Sequence, residues 1–126
     1  PEILDRALTG RMVISPQGEE RSAEGFVEFH RGAANFPWRS QAEWIGMQLA
    51  ARTGLDRTTA ARAARGVFRS DLYRDALSPT RADLPGASSK MEGALSEETA
   101  VASVGGQLFL GPDSFFDGRI FEPSRN

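Results

Sequence analysis

Few residues in this chain have side chains of the kind that enzyme chemistry requires. His30 is the single histidine and cysteine is absent, so any Ser-His-Asp or Cys-His arrangement would have to pass through His30. The sequence has no Gly-x-Ser-x-Gly elbow, no phosphate-binding loop and no His-x-x-x-His pair for zinc. The acidic pairs Glu19-Glu20 and Glu97-Glu98 lie in turn-like segments typical of a solvated surface. We therefore predict a protein that is not an enzyme, with no catalytic residues, metal ligands or cofactor, and with His30 as a partly exposed loop residue.

The composition limits the other classes of function. A chain of 126 residues forms one domain or a piece of a larger one. A net charge of −2 argues against general binding of nucleic acid, which favours a strongly basic surface. No apolar run approaches the length of a membrane-spanning helix, and the first residues of the given sequence do not have the pattern of a signal peptide. Because the chain opens on Pro1 rather than on methionine, we expect it to be a segment of a longer protein.

The strongest candidate for a binding element is the loop 35–39, which contains Phe36 and Trp38. Trp38 beside Arg39 could stack on a planar ligand or receive a cation–π contact. Burial of the loop is the favoured alternative, because aromatic side chains are costly to leave in water.

This loop leads into the clearest helix of the sequence, predicted over residues 41–53. Ser40 and Glu43 have the spacing of a capping box, and Gly54 is well placed to end the helix in a left-handed conformation. The apolar residues of this helix are expected to form its buried face, and Trp44 is expected to lie in the core. The apolar residues are Trp44, Ile45, Met47 and Leu49.

The other elements are shorter. We predict an alanine-rich helix from its cap at Asp56 through Arg65, and a helix over residues 70–77. Before the aromatic loop, we predict a helix over 2–9 ended by Gly10, a strand at 12–14, a turn at 15–18 and a short strand or helix start at 26–29. After residue 77, a stretch rich in Ser, Gly and Ala runs over 78–107, longer than loops of compact domains usually are. A hairpin or an irregular strand is predicted at 115–121.

One alternative function is a helix-turn-helix regulator that binds DNA through residues 44–65. Ala50 and Gly54 have the required spacing, and six arginines fall between Arg52 and Arg74. That local excess of positive charge could attract phosphates. Against it, the second helix offers only alanines for its buried face, and the whole chain is acidic.

Four stretches resemble the nitrate- and bicarbonate-type solute-binding proteins of ABC transporters and their cytoplasmic nitrate-sensing relatives, and they occur in the family's order over about residues 32–123. They are AANFPWRSQAEW at 33–44, Arg69-x-Asp71-Leu72-Tyr73, Lys90-x-x-Gly93 and Phe115-Phe116-Asp117-Gly118-Arg119-x-Phe121-x-Pro123. The chain departs from the family at Arg52-Thr53-Gly54, where a tryptophan usually precedes the glycine. It also lacks the tail usual in transporter members, and in this respect it is more similar to the sensor branch.

The resemblance implies that residues 1–126 are one C-terminal segment of a two-lobed class II periplasmic-binding-protein fold, here α+β and mainly helical. Such a fold holds an anion, nitrate or nitrite, by hinge closure. The family's anion contacts lie mostly upstream, so ligand-binding residues are unassigned. The candidates for ligand binding in this span are Trp38, Arg39 and Lys90. We favour packing and lobe bracing over ligand contact as their role.

The same resemblance leaves the partner and the compartment open. A transporter component would be periplasmic and would meet an ABC permease, whereas a sensor would be cytoplasmic and would hold an antiterminator protein. We expect no nucleic acid as partner. Apolar surface that normally meets the rest of the protein is expected to make this segment self-associate.

Overall fold

The structure is a computed structural model that describes residues 2–23 and 26–124. These residues confirm the predicted α+β class, with helices over about a third of the chain and two small antiparallel sheets. Helices account for more of the regular structure than strands do. Irregular segments account for more of the described residues than helices or strands. The chain divides into two compact units, Pro1–Ala34 and Asn35–Asn126, which are described separately.

The first unit begins with the predicted helix and strand. Helix α1 (Glu2–Thr9) ends at Gly10, whose φ of 67° is left-handed. Strand β1 (Arg11–Val13) pairs antiparallel with β2 (Glu20–Ser22). The predicted turn between them is closed by a hydrogen bond of 3.1 Å from the Gly18 amide to the Ser15 carbonyl. Strand β2 was not predicted, because its Glu-Arg-Ser sequence lacks the alternation of apolar and polar residues that is typical of a strand.

The prediction for residues 26–29 is wrong. They form bends rather than a strand or a helix start, and a short 3-10 helix follows at Arg31–Ala33. Phe26 and Phe29 are exposed. Among the described residues, no strand pairs with this segment.

The second unit contains the three predicted helices in order: α2 (Arg39–Thr53), α3 (Arg57–Arg65) and α4 (Ser70–Leu77). Gly54 ends α2 with a φ of 72°, as predicted. The carboxylate of Asp56 caps α3 by accepting from the Thr59 amide at 2.8 Å. Hydrogen bonding with Thr59 holds the pKa of Asp56 below its usual range.

The predicted capping box of α2 is wrong. The helix begins one residue before Ser40, and its N-cap position, Trp38, makes no side-chain cap. The Ser40 hydroxyl instead donates to a carboxylate oxygen of Glu92 at 2.5 Å, and Glu43 accepts from the amide and hydroxyl of Ser124. Both side chains are buried, and they bond to long-range partners in place of the local helix end.

The predicted apolar face of α2 is also wrong in part. Ile45 is 42% exposed and Leu49 56% exposed, while Trp44 and Met47 are half-buried. The buried face consists mainly of small residues, because α2 packs closely against α3: Ser40, Ala42, Glu43, Gly46 and Ala50. The pattern of large apolar residues therefore marks a surface of this unit and not its helix–helix contact.

Gly46→Ala is expected to lower the free energy of unfolding by about 1–2 kcal/mol, although alanine is the better helix former. A Cβ at Gly46 would lie 2.6 Å from the Ala64 Cβ and 2.8 Å from the Ala60 carbonyl oxygen, so the two helices would have to separate. Gly66→Ala is the matched control, since its nearest new neighbour lies at 3.4 Å, and we expect it to be neutral or stabilising. Urea unfolding followed by tryptophan fluorescence measures both, and equal effects would contradict the close contact.

Residues 78–107 are largely irregular, as predicted, and side-chain hydrogen bonds hold parts of this segment in addition to one short strand. Strand β3 (Thr99–Ala100) pairs antiparallel with β4 (Phe109–Leu110). The Asp83 carboxylate accepts from the amides of Gly105 at 2.6 Å and Gln107 at 2.9 Å. These amide donors lower the pKa of Asp83 and fix the turn that precedes β4.

The final segment, residues 115–121, was predicted to form a hairpin or an irregular strand. It is irregular. A turn is closed by the Gly118 amide and the Phe115 carbonyl at 2.9 Å, and Phe121 forms an isolated antiparallel bridge with Glu92. The hairpin is not formed, because the residues after the turn pair with Glu92 and not with the residues before it. The Phe115 ring stacks on Trp44 with centroids 5.2 Å apart.

Candidate functional site

The aromatic loop 35–39 is packed, as predicted. Phe36 is 2% exposed and Trp38 5% exposed. Their rings meet edge to face with centroids 4.8 Å apart, and Tyr73 of α4 meets Phe36 in the same way at 5.6 Å. Edge-to-face pairs of this kind stabilise a core beyond the area that they bury. Trp38 therefore has no open ring face for a planar ligand.

Arg74 of α4 closes one side of this aromatic cluster. Its guanidinium lies 5.0 Å from the centre of the Phe36 ring. It donates to the Pro85 carbonyl from Nε at 3.0 Å, to the Ala87 carbonyl from Nη2 at 2.7 Å and to the Ser88 hydroxyl at 2.9 Å. One side chain thus donates to three consecutive carbonyls, those of residues 85–87, while Pro85 also forms an isolated antiparallel bridge with Ser103.

Lys90 closes the other side. Its Nζ lies 5.8 Å from the centre of the Trp38 ring and 2.6 Å from Oε2 of Glu92, and it also donates to the carboxylate of Asp113. Glu92 is buried and receives a second hydrogen bond from Ser40. The Asp113 carboxylate accepts from the Leu95 amide at 2.8 Å. Each carboxylate therefore has Lys90 and one further donor.

Arg39 makes a weaker set of contacts. Its Nη2 lies 3.4 Å from a carboxylate oxygen of Asp71, and its backbone amide donates to the Ser88 carbonyl at 2.8 Å. Arg69 holds the same carboxylate more tightly, with Nε at 2.9 Å and Nη2 at 2.6 Å. These hydrogen bonds from Arg69 hold the pKa of Asp71 well below its usual range.

The structure thus brings two of the three candidate residues, Trp38 and Lys90, into contact and places Arg39 beside them. Lys90 faces two carboxylates, so the local charge is negative and unfavourable for an anion. Arg39 shares its single carboxylate with Arg69. This arrangement, which we call the bracing cluster, ties the aromatic loop to α4 and to the segment 85–113.

Sequence reasoning missed the residues that complete the bracing cluster. Arg74, Glu92 and Asp113 carry no local motif, and Ser40 was assigned to a helix cap. The Ser40–Glu92 bond spans 52 positions and the Lys90–Asp113 bond spans 23. A weak signal was present, since Lys90 and Glu92 are isolated charges in a stretch of small residues.

Outside the bracing cluster lies His30, the residue through which a Ser-His-Asp or Cys-His arrangement would have to pass. His30 is an exposed residue in a bend, in agreement with its prediction as a loop residue. Among residues 2–23 and 26–124, no three His, Asp or Glu side chains group as metal ligands would. Within the same residues, no helix has the length and apolarity that a bilayer span requires.

Comparison with known proteins assigns no family. The chain matches no protein-family model, no curated protein and no solved structure.

Proposed function

We propose that this chain is the C-terminal, non-catalytic part of a small-anion binding protein of the nitrate/nitrite type, and that the bracing cluster stiffens one lobe. The observation that carries the proposal is that the four stretches of the resemblance, which are far apart in sequence, meet in one packed region. The ring contact of Phe36 with Tyr73 joins the first two, and that of Trp38 with Lys90 joins the first to the third.

The fourth stretch meets the third through a glycine. Gly93 has a φ of 81°, and a Cβ there would lie 2.7 Å from the Phe115 ring and 2.8 Å from the Arg119 carbonyl oxygen. Only glycine combines this backbone conformation with so close an approach. Residues shared with a family are therefore used here for packing, which is the role that the proposal gives them.

The finer fold in the proposal is the C-terminal part of a class II periplasmic-binding-protein fold. The anion would be held upstream by N–H donors and an arginine or lysine. The exposed apolar side chains of Ile45 and Leu49 on α2 suit a face that meets another body, either the remaining lobe or a second copy. The partner would be an ABC permease for a periplasmic transporter component, or an antiterminator for a cytoplasmic sensor.

The test uses the product of the complete reading frame that contains this sequence. Calorimetric titration with nitrate, nitrite and bicarbonate should show one anion binding with 1:1 stoichiometry, at least about tenfold more tightly than chloride. The 126-residue chain alone should show no such heat, because the anion contacts are upstream. A folded full product that binds none of the three anions would overturn the proposal.

The helix-turn-helix alternative over residues 44–65 receives less support. Three of the six arginines between 52 and 74 already have internal partners: Arg65, Arg69 and Arg74. A DNA-binding protein would lose affinity steeply as salt rises, so a gel shift with random duplex DNA at two salt concentrations separates the two functions.

A further inference from the structure

A second feature of the molecule, independent of the bracing cluster, is a cleft of about 360 Å³ between α2 and α3. Arg57 and Arg65 are eight positions apart on α3, and Arg62 lies between them. At about 100° per residue, Arg65 points about 80° away from Arg57 and about 60° away from Arg62, so it lies between the other two around the helix. All three line the cleft, with the side chain of Met47 on the opposite wall. We call it the α2–α3 cleft.

Arg65 is held in place at the base of the cleft. Its Nη1 donates to the Ser124 carbonyl at 2.8 Å and lies 3.6 Å from Oε2 of Glu43. The Glu43 side chain is 2% exposed, and its Oε1 accepts from the Ser124 amide and hydroxyl. Glu43 Oε2 has no hydrogen bond within the described part of the chain. The Ser124 carbonyl thus fixes one edge of the Arg65 guanidinium, with the buried Glu43 carboxylate nearby, and the other donors are left for the cleft.

The other two arginines have no such partner. Arg57 and Arg62 are exposed, and neither guanidinium makes a hydrogen bond or an ion pair within 4.0 Å to residues 2–23 or 26–124. The carboxylate of Asp56 accepts from the Thr59 amide at the helix start, and the positive charge of Arg62 is close enough to lower the pKa of Asp56 further. Even with Glu43 and Asp56 counted, the surroundings of the cleft keep a positive excess.

We propose that the α2–α3 cleft binds a small organic anion, a molecule with a phosphate or carboxylate group on an apolar body. Guanidinium forks match both groups in a bidentate manner, and Thr58 adds a hydroxyl donor at the same wall. The apolar body would lie against Met47 and Ala61, since the volume falls within the range of small-molecule sites and exceeds what a bare oxyanion fills. This site does not depend on the proposed nitrate/nitrite function.

The experiment is an NMR titration of the ¹⁵N-labelled 126-residue chain with phenyl phosphate, benzoate, inorganic phosphate and benzyl alcohol. Phenyl phosphate or benzoate should give saturable shifts at the amides of α3, and inorganic phosphate should bind at least about threefold more weakly because it lacks the apolar body. Benzyl alcohol should give none.

Variants locate the site. Arg62→Ala and Arg57→Ala should each weaken binding of phenyl phosphate about five- to tenfold, the loss of one charge-assisted hydrogen bond. Both side chains are exposed, so the fold should persist. Arg81→Ala is the matched control: it removes the same charge from an exposed position outside the cleft and should change the affinity less than about twofold.

Three results would overturn the proposal. They are no saturable shift with any probe below about 10 mM, an equal loss in the Arg81→Ala chain, or binding of random duplex DNA without binding of the small probes. Nitrate titration of the full reading-frame product carrying Arg62→Ala keeps the two proposals apart, because that affinity should not change.

Discussion

Lys90→Met is expected to lower the free energy of unfolding of the second unit by about 3 kcal/mol. Methionine keeps the length and the apolar stem of lysine, so packing against Trp38 is largely preserved. What is lost is the one ammonium group between Glu92 and Asp113. The Glu92 side chain is 6% exposed and that of Asp113 is 23% exposed, so their mutual repulsion is only partly screened.

Urea unfolding followed by tryptophan fluorescence measures this loss, because both tryptophans belong to the second unit. Arg119→Met is the control: it breaks an ion pair with Asp117 in which the arginine side chain is 87% exposed, and it should change stability by less than about 0.5 kcal/mol. The double variant Lys90→Met/Glu92→Gln should be more stable than Lys90→Met alone. Unchanged stability together with weakened anion binding by the full product would make Lys90 a ligand contact.

The elements that the sequence predicted well are those whose signals are local. Helix α3 has its cap, its alanines and its terminal glycine within a dozen positions, and α4 is bounded by Ser70 and Pro79 in the same way. Gly54 at the end of α2 belongs to this group. Backbone propensity and capping act over one or two turns, so a single sequence is enough to read them.

The errors occur where side chains serve distant partners. Ser40 and Glu43 have the sequence of a capping box, yet Ser40 bonds to Glu92 and Glu43 to Ser124, 52 and 81 positions away. The buried face of α2 was misassigned for a related reason. The close approach of α3 favours Gly46 and the alanines at the contact, so Ile45 and Leu49 are left outside it.

The bracing cluster likewise combines a feature that local sequence predicts with contacts that it does not. The burial of Phe36 and Trp38 followed from the composition of their loop, and the packed aromatic loop was predicted. The partners of Lys90 could not be, because nothing near Lys90 in the sequence indicates that Asp113 returns to it. The residues of the resemblance indicated the position of the cluster, whereas the carboxylates that pair with Lys90 became visible only in the tertiary structure.

Arg74→Ala is expected to lower the free energy of unfolding by about 3–4 kcal/mol, because a charged donor is lost from several carbonyls at once. Pro85 is fully buried, and its carbonyl would be left without its two guanidinium donors. Arg74→Lys should recover less than about 1 kcal/mol of this loss, since a single ammonium cannot bond residues 85–88 and also stack on Phe36.

The neighbouring, exposed Asp75 gives the control: Asp75→Ala leaves the same helix intact and should change stability by less than about 0.5 kcal/mol. Hydrogen exchange adds a local readout, because the Arg39 amide donates to the Ser88 carbonyl at 2.8 Å. If Arg74 holds the segment 85–88, protection of that amide should fall in Arg74→Ala and Arg74→Lys alike and persist in Asp75→Ala. Full recovery of both stability and protection by lysine would mean that positive charge alone, without the shape of the guanidinium, holds the segment.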